Sequence, residues 1–286
     1  MKINIIELIP RGWNIEILKN NFIKVSYETL GRGNDPKSFI LPKEILVNGN
    51  LIESLSAYIG DGKLSEDVGH LDFTSKDSDI IKLVHDFFKN TFNIEKMYYR
   101  ISCKKLTKNS INYWADYLKI SKKDIRIRES HRFRHECFNF QISGKIFVEI
   151  FKRIIAEIFK INFLEYPSLR QAFLRGLFAA DGSVNINKQE NYLVYIGYHF
   201  SYNKEEKLAE FVQKLLKMEG IESRLILRED KGERYLQITN WRNYSKCWKI
   251  SLFDLCKRKK DVFVWKLDRI KLRGHRSDDL KLALMT

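Results

Sequence analysis

Apolar residues recur at helical spacing in the segment that ends at Gly182, and they predict a helix there. Ser168 and Gln171 have the spacing of a capping box, so this helix is predicted to begin near Ser168. Gly182 follows the last apolar positions and is predicted to end the helix. Gly176 and Ala180 lie four residues apart on one face, where small side chains would let a second helix approach closely.

The same arrangement occurs earlier in the chain. Asn50 and Glu53 have the capping spacing, and the helix that they predict runs to Gly62. Ser56 and Gly60 take the places of the two small residues of the later helix. Two such helices could pack through their small faces, which would bring their C-terminal ends together.

An aspartate precedes the final glycine of each predicted helix, Asp61 in the first and Asp181 in the second. The helix macrodipole disfavours a carboxylate at this end, so each acid needs a compensating cation. If the helices pack together, both carboxylates meet in a strongly negative pocket that suits a hard divalent ion with oxygen ligands. The alternative is that each Asp-Gly pair only forms a turn.

These two segments resemble the motif of the LAGLIDADG homing endonuclease family in its single-chain, two-motif form. The resemblance implies that the motif helices form the interface between two halves. It also implies that Asp61 and Asp181 bind magnesium and serve DNA strand cleavage. The family's earlier acid, two residues before the essential one, is replaced here by Ile59 and Ala179, and Ser56 stands in place of a glycine.

The residues after each motif predict the same order of elements. After Gly62 the pattern predicts a β-hairpin, then a helix over residues 77–90 and a strand over 96–101. The fold predicted is α+β, with two pseudo-symmetric αββαββα halves. As the resemblance implies, antiparallel saddle-shaped sheets would bind DNA and the motif helices would pack at the centre.

Matched residues indicate an internal duplication. Phe73 and Phe200 are 127 residues apart, and so are Asn93 and Gly220. Later matches have a smaller offset, which places an insertion at about 103–136 in the first half.

Four regions are therefore predicted along the chain. The insertion itself carries a helical pattern over residues 110–118. The regions are a small β-rich N-terminal extension (1–48), a first LAGLIDADG half that contains the insertion (49–160), a second LAGLIDADG half (161–252) and a basic C-terminal tail (253–286).

Composition favours a polyanionic partner. The 286-residue chain has a formal net charge of +15 and a pI near 9.5, which suits nucleic acid or an anionic membrane surface. No apolar run approaches the length of a membrane span and the N-terminus does not read as a signal peptide, so no membrane partner is expected. The four cysteines lack paired short spacing, which favours an intracellular location, in the cytoplasm, the nucleoid or an organelle matrix.

Phosphodiester hydrolysis needs an in-line water, stabilisation of the developing charge and help for the leaving group, most of which paired metal ions supply. The resemblance implies further basic or amide residues around the waters. Lys76 follows the second strand of the first half, and Asn203 is its counterpart by the 127-residue offset. A surface lysine is the alternative interpretation of Lys76. The remaining candidates are Gln141 and Gln237 for catalysis and the backbone carbonyls of Gly60 and Ala180 for the metal shell.

One face of each sheet would lie along the DNA major groove, which admits β-ribbons, and alternation along a strand decides which side chains face it. Each candidate could instead contact phosphate or solvent. The candidate DNA contacts are Lys63, Ser65, His70, Asp72, Arg126 and Arg128 in the first half and Ser183, Asn185, Asn187, Arg224, Arg228 and Arg234 in the second.

A zinc site is a rival interpretation of one cluster in the insertion. His131, His135 and Cys137 are close in sequence, and Cys103 could approach them. The surrounding arginines favour a basic strand or loop near DNA instead.

The sequence supports two functions. The first is a monomeric, magnesium-dependent, site-specific double-strand DNA endonuclease with a long, near-asymmetric target. It would use two or more divalent ions, and it would belong to an intron or another host element. The second is a non-cutting DNA-binding protein or an intron RNA maturase of the same fold.

Overall fold

The computed structural model divides the chain into two compact units, Met1–Ile161 and Asn162–Thr286. The fold repeats one set of elements, once in each unit. The structure describes residues 1–27, 37–107, 109–163, 165–187, 192–202, 204–229 and 232–272.

The N-terminal extension consists of short strands around a small apolar core. Ile23, Val25 and Leu41 are fully buried, and Phe39 stacks on Phe147 with ring centroids 5.4 Å apart. The extension therefore covers part of the first unit's core. Its strands are β1 (Lys2–Asn4), β2 (Asn14–Ile17), β3 (Phe22–Tyr27), β4 (Lys37–Pro42) and β5 (Glu44–Leu46), with β1 paired to β5 and β2, β3 and β4 forming a three-stranded antiparallel sheet.

The rest of the first unit has the predicted αββαββα order with the insertion between its third and fourth strands. The sheet order is β6-β7-β10-β8-β9, and all of its pairs are antiparallel except β8 with β9. The elements are α1 (Gly49–Asp61), β6 (Gly62–Ser65), β7 (His70–Ser75), α2 (Ser78–Phe92), β8 (Tyr98–Cys103), α3 (Ser110–Leu118), β9 (Ile125–Glu129), β10 (Cys137–Ser143) and α4 (Lys145–Phe159).

The insertion contributes α3 and β9. The helix is anchored by Trp114, which is buried and stacks on Phe138 at 4.5 Å between ring centroids. Glu136 accepts hydrogen bonds from Ser110 and from the Trp114 indole, which ties the start of the helix to the strand that follows the insertion. The insertion strand β9 pairs in parallel with β8 and widens the sheet by one strand.

The second unit repeats αββαββα and adds a terminal helix. Its antiparallel sheet has the order β11-β12-β14-β13. The predicted α+β fold with two halves of the same connectivity is confirmed. The elements are α5 (Pro167–Asp181), β11 (Ser183–Asn187), β12 (Tyr192–Ser201), α6 (Glu206–Met218), β13 (Ser223–Arg228), β14 (Glu233–Ile238), α7 (Trp241–Lys249) and α8 (Lys257–Leu272).

Alternation along the strands gives each sheet an apolar and a polar face. In β7, Leu71 and Phe73 are buried, whereas Asp72 and Thr74 point to the opposite, outward face. In β14, Arg234 pairs with Glu206 of α6, and Leu236, two residues further along the strand, lies on the same helix-facing side of the sheet. The polar face of each sheet therefore points away from the helices that pack on its apolar face.

The predicted capping residues of both motif helices are wrong. The N-cap of α1 is Asn48, whose side chain accepts a hydrogen bond from the Leu51 N–H at 2.9 Å, so Asn50 lies inside the helix. In α5, Pro167 occupies the first turn, and the amide of Gln171 donates to Glu219 instead of closing a capping box. Proline at this position has its φ already fixed for a helix, which makes the box unnecessary.

No helix among the described residues combines the length and apolar character that crossing a bilayer requires.

Candidate nucleic-acid site

The first motif helix ends in a tight turn at Asp61 and Gly62. The Gly62 N–H donates to the Tyr58 carbonyl, and φ of Gly62 is −82°, which any residue can adopt. A Cβ at position 62 would lie 2.3 Å from that carbonyl oxygen. Glycine is therefore needed here for close approach of the chain, and the turn holds the half-buried Asp61 at the helix end.

The second motif helix ends in the same way. The Gly182 N–H donates to the Phe178 carbonyl at 3.0 Å, and a Cβ at position 182 would lie 2.5 Å from the same oxygen. Asp181 is exposed. The two Asp-Gly ends, which we name the α1 tip (Asp61 and Gly62) and the α5 tip (Asp181 and Gly182), thus share one backbone geometry.

The pKa of Cys137 depends on charged side chains near the α1 tip. Burial raises the pKa of its thiol, the Lys76 ammonium opposes that rise, and the Asp61 carboxylate adds to it. Both charges must therefore lie close to the same sulfur. The register explains this, because the antiparallel strands β10 and β7 pair as Phe138 opposite Ser75, so that Cys137 and Lys76, the next residues outward, come opposite each other. The structure therefore places the predicted Lys76 and Asp61 both near Cys137.

Strand register corrects the predicted counterpart of Lys76. Gly62 pairs with Phe73 in the first unit, and Ser183, the residue after Gly182, pairs with Gly197 in the second. Phe73 therefore corresponds to Tyr198, at an offset of 125 residues rather than 127. By this register Ser201 takes the place of Lys76. Asn203 lies outside the described residues.

The two glutamines occupy matching positions, as the sequence predicted. Gln141 pairs with Asp72, which pairs with Lys63 of β6. Gln237 pairs with Gly197, which pairs with Ser183 of β11. Each glutamine therefore lies in the sheet row that follows directly from its tip. Their catalytic role stays a prediction.

The polar face of the first sheet carries the predicted DNA contacts Lys63, Ser65, His70 and Asp72 in directly paired rows. The insertion strand extends this face, because Arg126 pairs with Arg100 and Arg128 pairs with Ser102. Arg100 was missed in the sequence, although the alternation of polar residues in β8 could have revealed it. Arginines directly opposite each other are unfavourable without an anion, so this edge suits phosphate.

The polar face of the second sheet carries most of its predicted contacts. Asn185 donates to the Ser183 hydroxyl at 2.8 Å, and Asn187 follows on the same strand. Arg224 pairs with Gln237 and is exposed. Arg228 lies on the same face and is bound to Glu233 at 3.2 Å, and its guanidinium lies 4.7 Å from the centre of the Tyr235 ring.

Arg234 is wrong as a predicted DNA contact. It has the parity of the buried Leu236 and faces α6, where its guanidinium pairs with Glu206 and lies 3.8 Å from Glu210. Alternation in β14 could have excluded it, because Arg234 and Leu236 are two residues apart and share a face.

An aromatic group fills the centre of the second sheet's polar face. Tyr235 is fully buried beneath His199, with ring centroids 4.3 Å apart. A Cβ at Gly197 would lie 1.9 Å from the Tyr235 hydroxyl oxygen, so glycine makes room for the ring. His199 Nδ1 donates to Glu233 at 3.1 Å, and this bond holds the pKa of Glu233 below its usual range.

The α5 tip has a cation that the sequence did not reveal. Lys259, near the start of α8, is buried, and its ammonium donates to the Ala180 carbonyl at 2.6 Å and to the Phe178 carbonyl at 3.3 Å. Ala180 had been predicted to offer that carbonyl to a metal ion. Lys259 lies in the region that the sequence predicts as a basic tail, and its burial there was not predicted.

The rival zinc site is not formed. Within the described ranges, which include His131, His135, Cys137 and Cys103, no three histidine, cysteine or acidic side chains are grouped to hold a metal ion. The Cys137 thiol instead lies 3.9 Å from the His135 carbonyl oxygen.

Comparison with known proteins gives a match within the second unit. Residues 168–249 match a sequence model described as a LAGLIDADG-like domain. A search of curated proteins found no match.

Solved structures of similar fold include I-DmoI in complex with DNA and Mn, at 16% identity, over 71% of this chain and 96% of that chain, with a TM-score of 0.44. Full-length DUF199/WhiA from Thermatoga maritima is similar at 13% identity, over 82% of this chain and 65% of that one, with a TM-score of 0.44. A lysine-to-alanine mutant of I-SmaMI is similar at 11% identity, over 83% and 98% respectively, with a TM-score of 0.42.

The match spans α5, the four strands β11 to β14, and α6 and α7, with Asp181 inside it. The resemblance to the LAGLIDADG motif is therefore confirmed in this half, where residues 168–249 match a LAGLIDADG-like domain.

Proposed function

We propose that this chain is a site-specific double-strand DNA endonuclease that uses divalent metal ions. The observation that carries the proposal is the repeated tip: two helices end in the same glycine-closed turn, and each turn presents an aspartate. Each tip leads directly into a sheet whose polar face carries cationic and amide side chains. These features support metal-assisted cutting of a DNA backbone.

The donor set fits a hard divalent ion at the carboxylates. Asp61 is half-buried and Asp181 is exposed, so both can reach an ion, and carboxylate oxygens are preferred ligands of Mg²⁺. When bound, such ions would activate a water and stabilise charge on the phosphate oxygens. Solved structures of I-DmoI are described with Mn, Ca and Mg, which supports a divalent ion here.

Lys76 would supply a positive charge near the α1 tip. The ammonium of Lys76 and the carboxylate of Asp61 both act on the pKa of Cys137, which supports this role, and the Lys76 side chain is exposed. In a DNA complex it would hold a proton near the phosphate or its departing oxygen. Ser201 at the matching position of the second unit cannot supply such a charge.

The target is proposed to be long and near-asymmetric. The row next to the α1 tip is Lys63, Asp72 and Gln141, whereas the row next to the α5 tip is Ser183, Gly197 and Gln237. Different donors and acceptors in the two rows would read different bases in the two halves of the site. A single chain with two unequal halves also favours action as a monomer.

The proposal is tested with Asp61→Asn and Asp181→Asn, each compared with Asp116→Asn on the exposed surface of α3. Targets are first selected as cleaved sites from a randomised duplex library with Mg²⁺. Each tip variant should lose cutting by more than about a hundredfold, the upper end of what loss of a metal ligand's outer partner costs. Its affinity for the duplex should be retained.

Full cutting by both tip variants would overturn the proposal. A protein that retards duplex DNA equally with Mg²⁺ and Ca²⁺ and cuts in neither would be a non-cutting DNA-binding protein. Stronger binding to structured intron RNA than to the duplex would indicate a maturase.

A further inference from the structure

Lys259 is buried at the carbonyl end of the second motif helix. The residue is 6% exposed. Its ammonium donates to the carbonyls of Ala180 and Phe178, the last residues of α5 before Asp181 and Gly182. Burial of a lysine is costly unless its charge is compensated, so these contacts must offset a substantial desolvation penalty.

The end of a helix is a favourable place for this charge. The Phe178 carbonyl already accepts the Gly182 N–H, and the carbonyls of the last turn of α5 together carry partial negative charge. The carboxylate of Asp181 adds a full negative charge to the same turn. An ammonium that binds two of these carbonyls compensates both the partial charge of the helix end and the charge of Asp181. It also fixes the turn that presents Asp181.

We propose that Lys259 is the resident cation of the α5 tip and that it keeps metal ions off the Ala180 carbonyl. The tip then offers a metal ion the Asp181 carboxylate but not the adjacent carbonyl. Lys259 is a positioning residue, because it binds the backbone of α5 and would not itself contact the metal ion. The part of this inference that concerns metal binding rests on the proposed function.

Electrostatics explains why the two cations compete. The ammonium nitrogen is 2.6 Å from the Ala180 oxygen, and a magnesium ion bound to that oxygen would lie about 2.1 Å from it. The two cations would then be at most about 4.7 Å apart, a distance at which a divalent and a monovalent charge repel strongly even when water screens them. Lys259 therefore lowers the affinity of the tip for metal.

The first test measures Mn²⁺ binding to the full chain without DNA, by electron paramagnetic resonance. Lys259→Met should bind Mn²⁺ more tightly, on the order of tenfold, because a charge within 5 Å of the ion has gone. Lys259→Arg keeps the charge and should behave like the unmodified protein. Lys260→Met is the matched control, since Lys260 is the next residue of α8 and pairs with Asp254 at 3.2 Å.

Adding Asp181→Asn to Lys259→Met should remove the gain, which would assign it to the α5 tip. A purely structural role for Lys259 predicts the opposite sign, because loosening the turn would weaken metal binding. Unchanged or weaker Mn²⁺ binding by folded Lys259→Met would overturn the inference.

The second test needs no variant. Crystals of the unmodified protein are soaked in Mn²⁺, and manganese is located by anomalous scattering. Lys259 should remain bound to the Ala180 carbonyl, with any manganese at the tip on the Asp181 carboxylate. Manganese on the Ala180 oxygen with Lys259 displaced would overturn the inference. Lys259 in place with no manganese at either tip would support it and count against the proposed function, so the two ideas can fail separately.

Discussion

The two tips share their backbone but obtain their positive charge from different places. At the α1 tip the nearby cation is Lys76, an exposed residue just after the second strand of the sheet. At the α5 tip it is Lys259, a buried residue from a helix that follows the repeated unit. A duplicated helix end keeps its tight turn because the turn is a steric requirement. The compensating charge can come from any element that reaches the tip.

The turn geometry that the two tips share is tested by adding a methyl group at each glycine, and this change has the largest expected effect on stability. Gly62→Ala and Gly182→Ala would each place a Cβ within 2.3 and 2.5 Å of a backbone oxygen, respectively, so the turn must open. Each variant should lower the free energy of unfolding by about 1–3 kcal/mol, the usual cost of overpacking. Urea unfolding followed by circular dichroism measures this.

Gly49→Ala is the control for both glycine variants. A Cβ at position 49 meets nothing within 4 Å and the residue starts α1, so its stability should be unchanged or slightly raised. If either tip variant is as stable as Gly49→Ala, the two turns are not held by steric necessity. The common geometry of the tips would then need another cause.

The sheets of the two units also differ, and the insertion accounts for most of that difference. Arg126→Gln with Arg128→Gln removes two charges from the polar face of the first sheet's edge. If both contact phosphate, the slope of log affinity against log salt concentration should fall by about 0.9 for each arginine. Fluorescence anisotropy with a labelled duplex at several salt concentrations measures the slope.

Arg234→Gln is the matched control in the second unit, because its guanidinium pairs with α6 on the helix face of the sheet. Its salt slope should equal that of the unmodified protein. An equal slope for the double variant as well would place the insertion strand outside the DNA contact.

Most of the fold follows from local pattern. The Asp-Gly endings, the two αββαββα series and the insertion helix at Ser110–Leu118 all depend on periodicity and turn residues, which the sequence states directly. The parallel pairing of β9 does not follow, because a strand's partner depends on tertiary packing. The helix caps were misplaced for a related reason: several residues near each start have capping chemistry, and only the backbone selects one.

The candidate site was predictable where it depends on one short segment. Both aspartates and the matching of Gln141 with Gln237 come from local spacing and register. Lys259 was not predictable, since it approaches Ala180 from 79 residues away and looks like its basic neighbours in sequence. The predicted counterpart of Lys76 was wrong because the second strands of the two units are offset by 125 residues, whereas the 127-residue offset fits the residues just after α2 and α6.

The smallest expected effect concerns the charges around the α1 tip, and Cys137 reports on them. It is the only half-buried thiol, since the other three cysteines, all within the described residues, are buried. Thiolate is the form that reacts with iodoacetamide, so the alkylation rate at fixed pH follows the thiol pKa. The Asp61 carboxylate raises that pKa and the Lys76 ammonium lowers it.

Asp61→Asn should therefore lower the pKa of Cys137 and speed alkylation, whereas Lys76→Met should raise it and slow alkylation. Mass spectrometry of the Cys137 peptide across pH 7–9.5 gives both rates, with the α5-tip variant Asp181→Asn in parallel. If the two alkylation rates do not change in opposite directions, Lys76 and Asp61 do not both lie near Cys137. Because this readout needs neither DNA nor metal, it tests the geometry of the first tip even if the chain never cuts a strand.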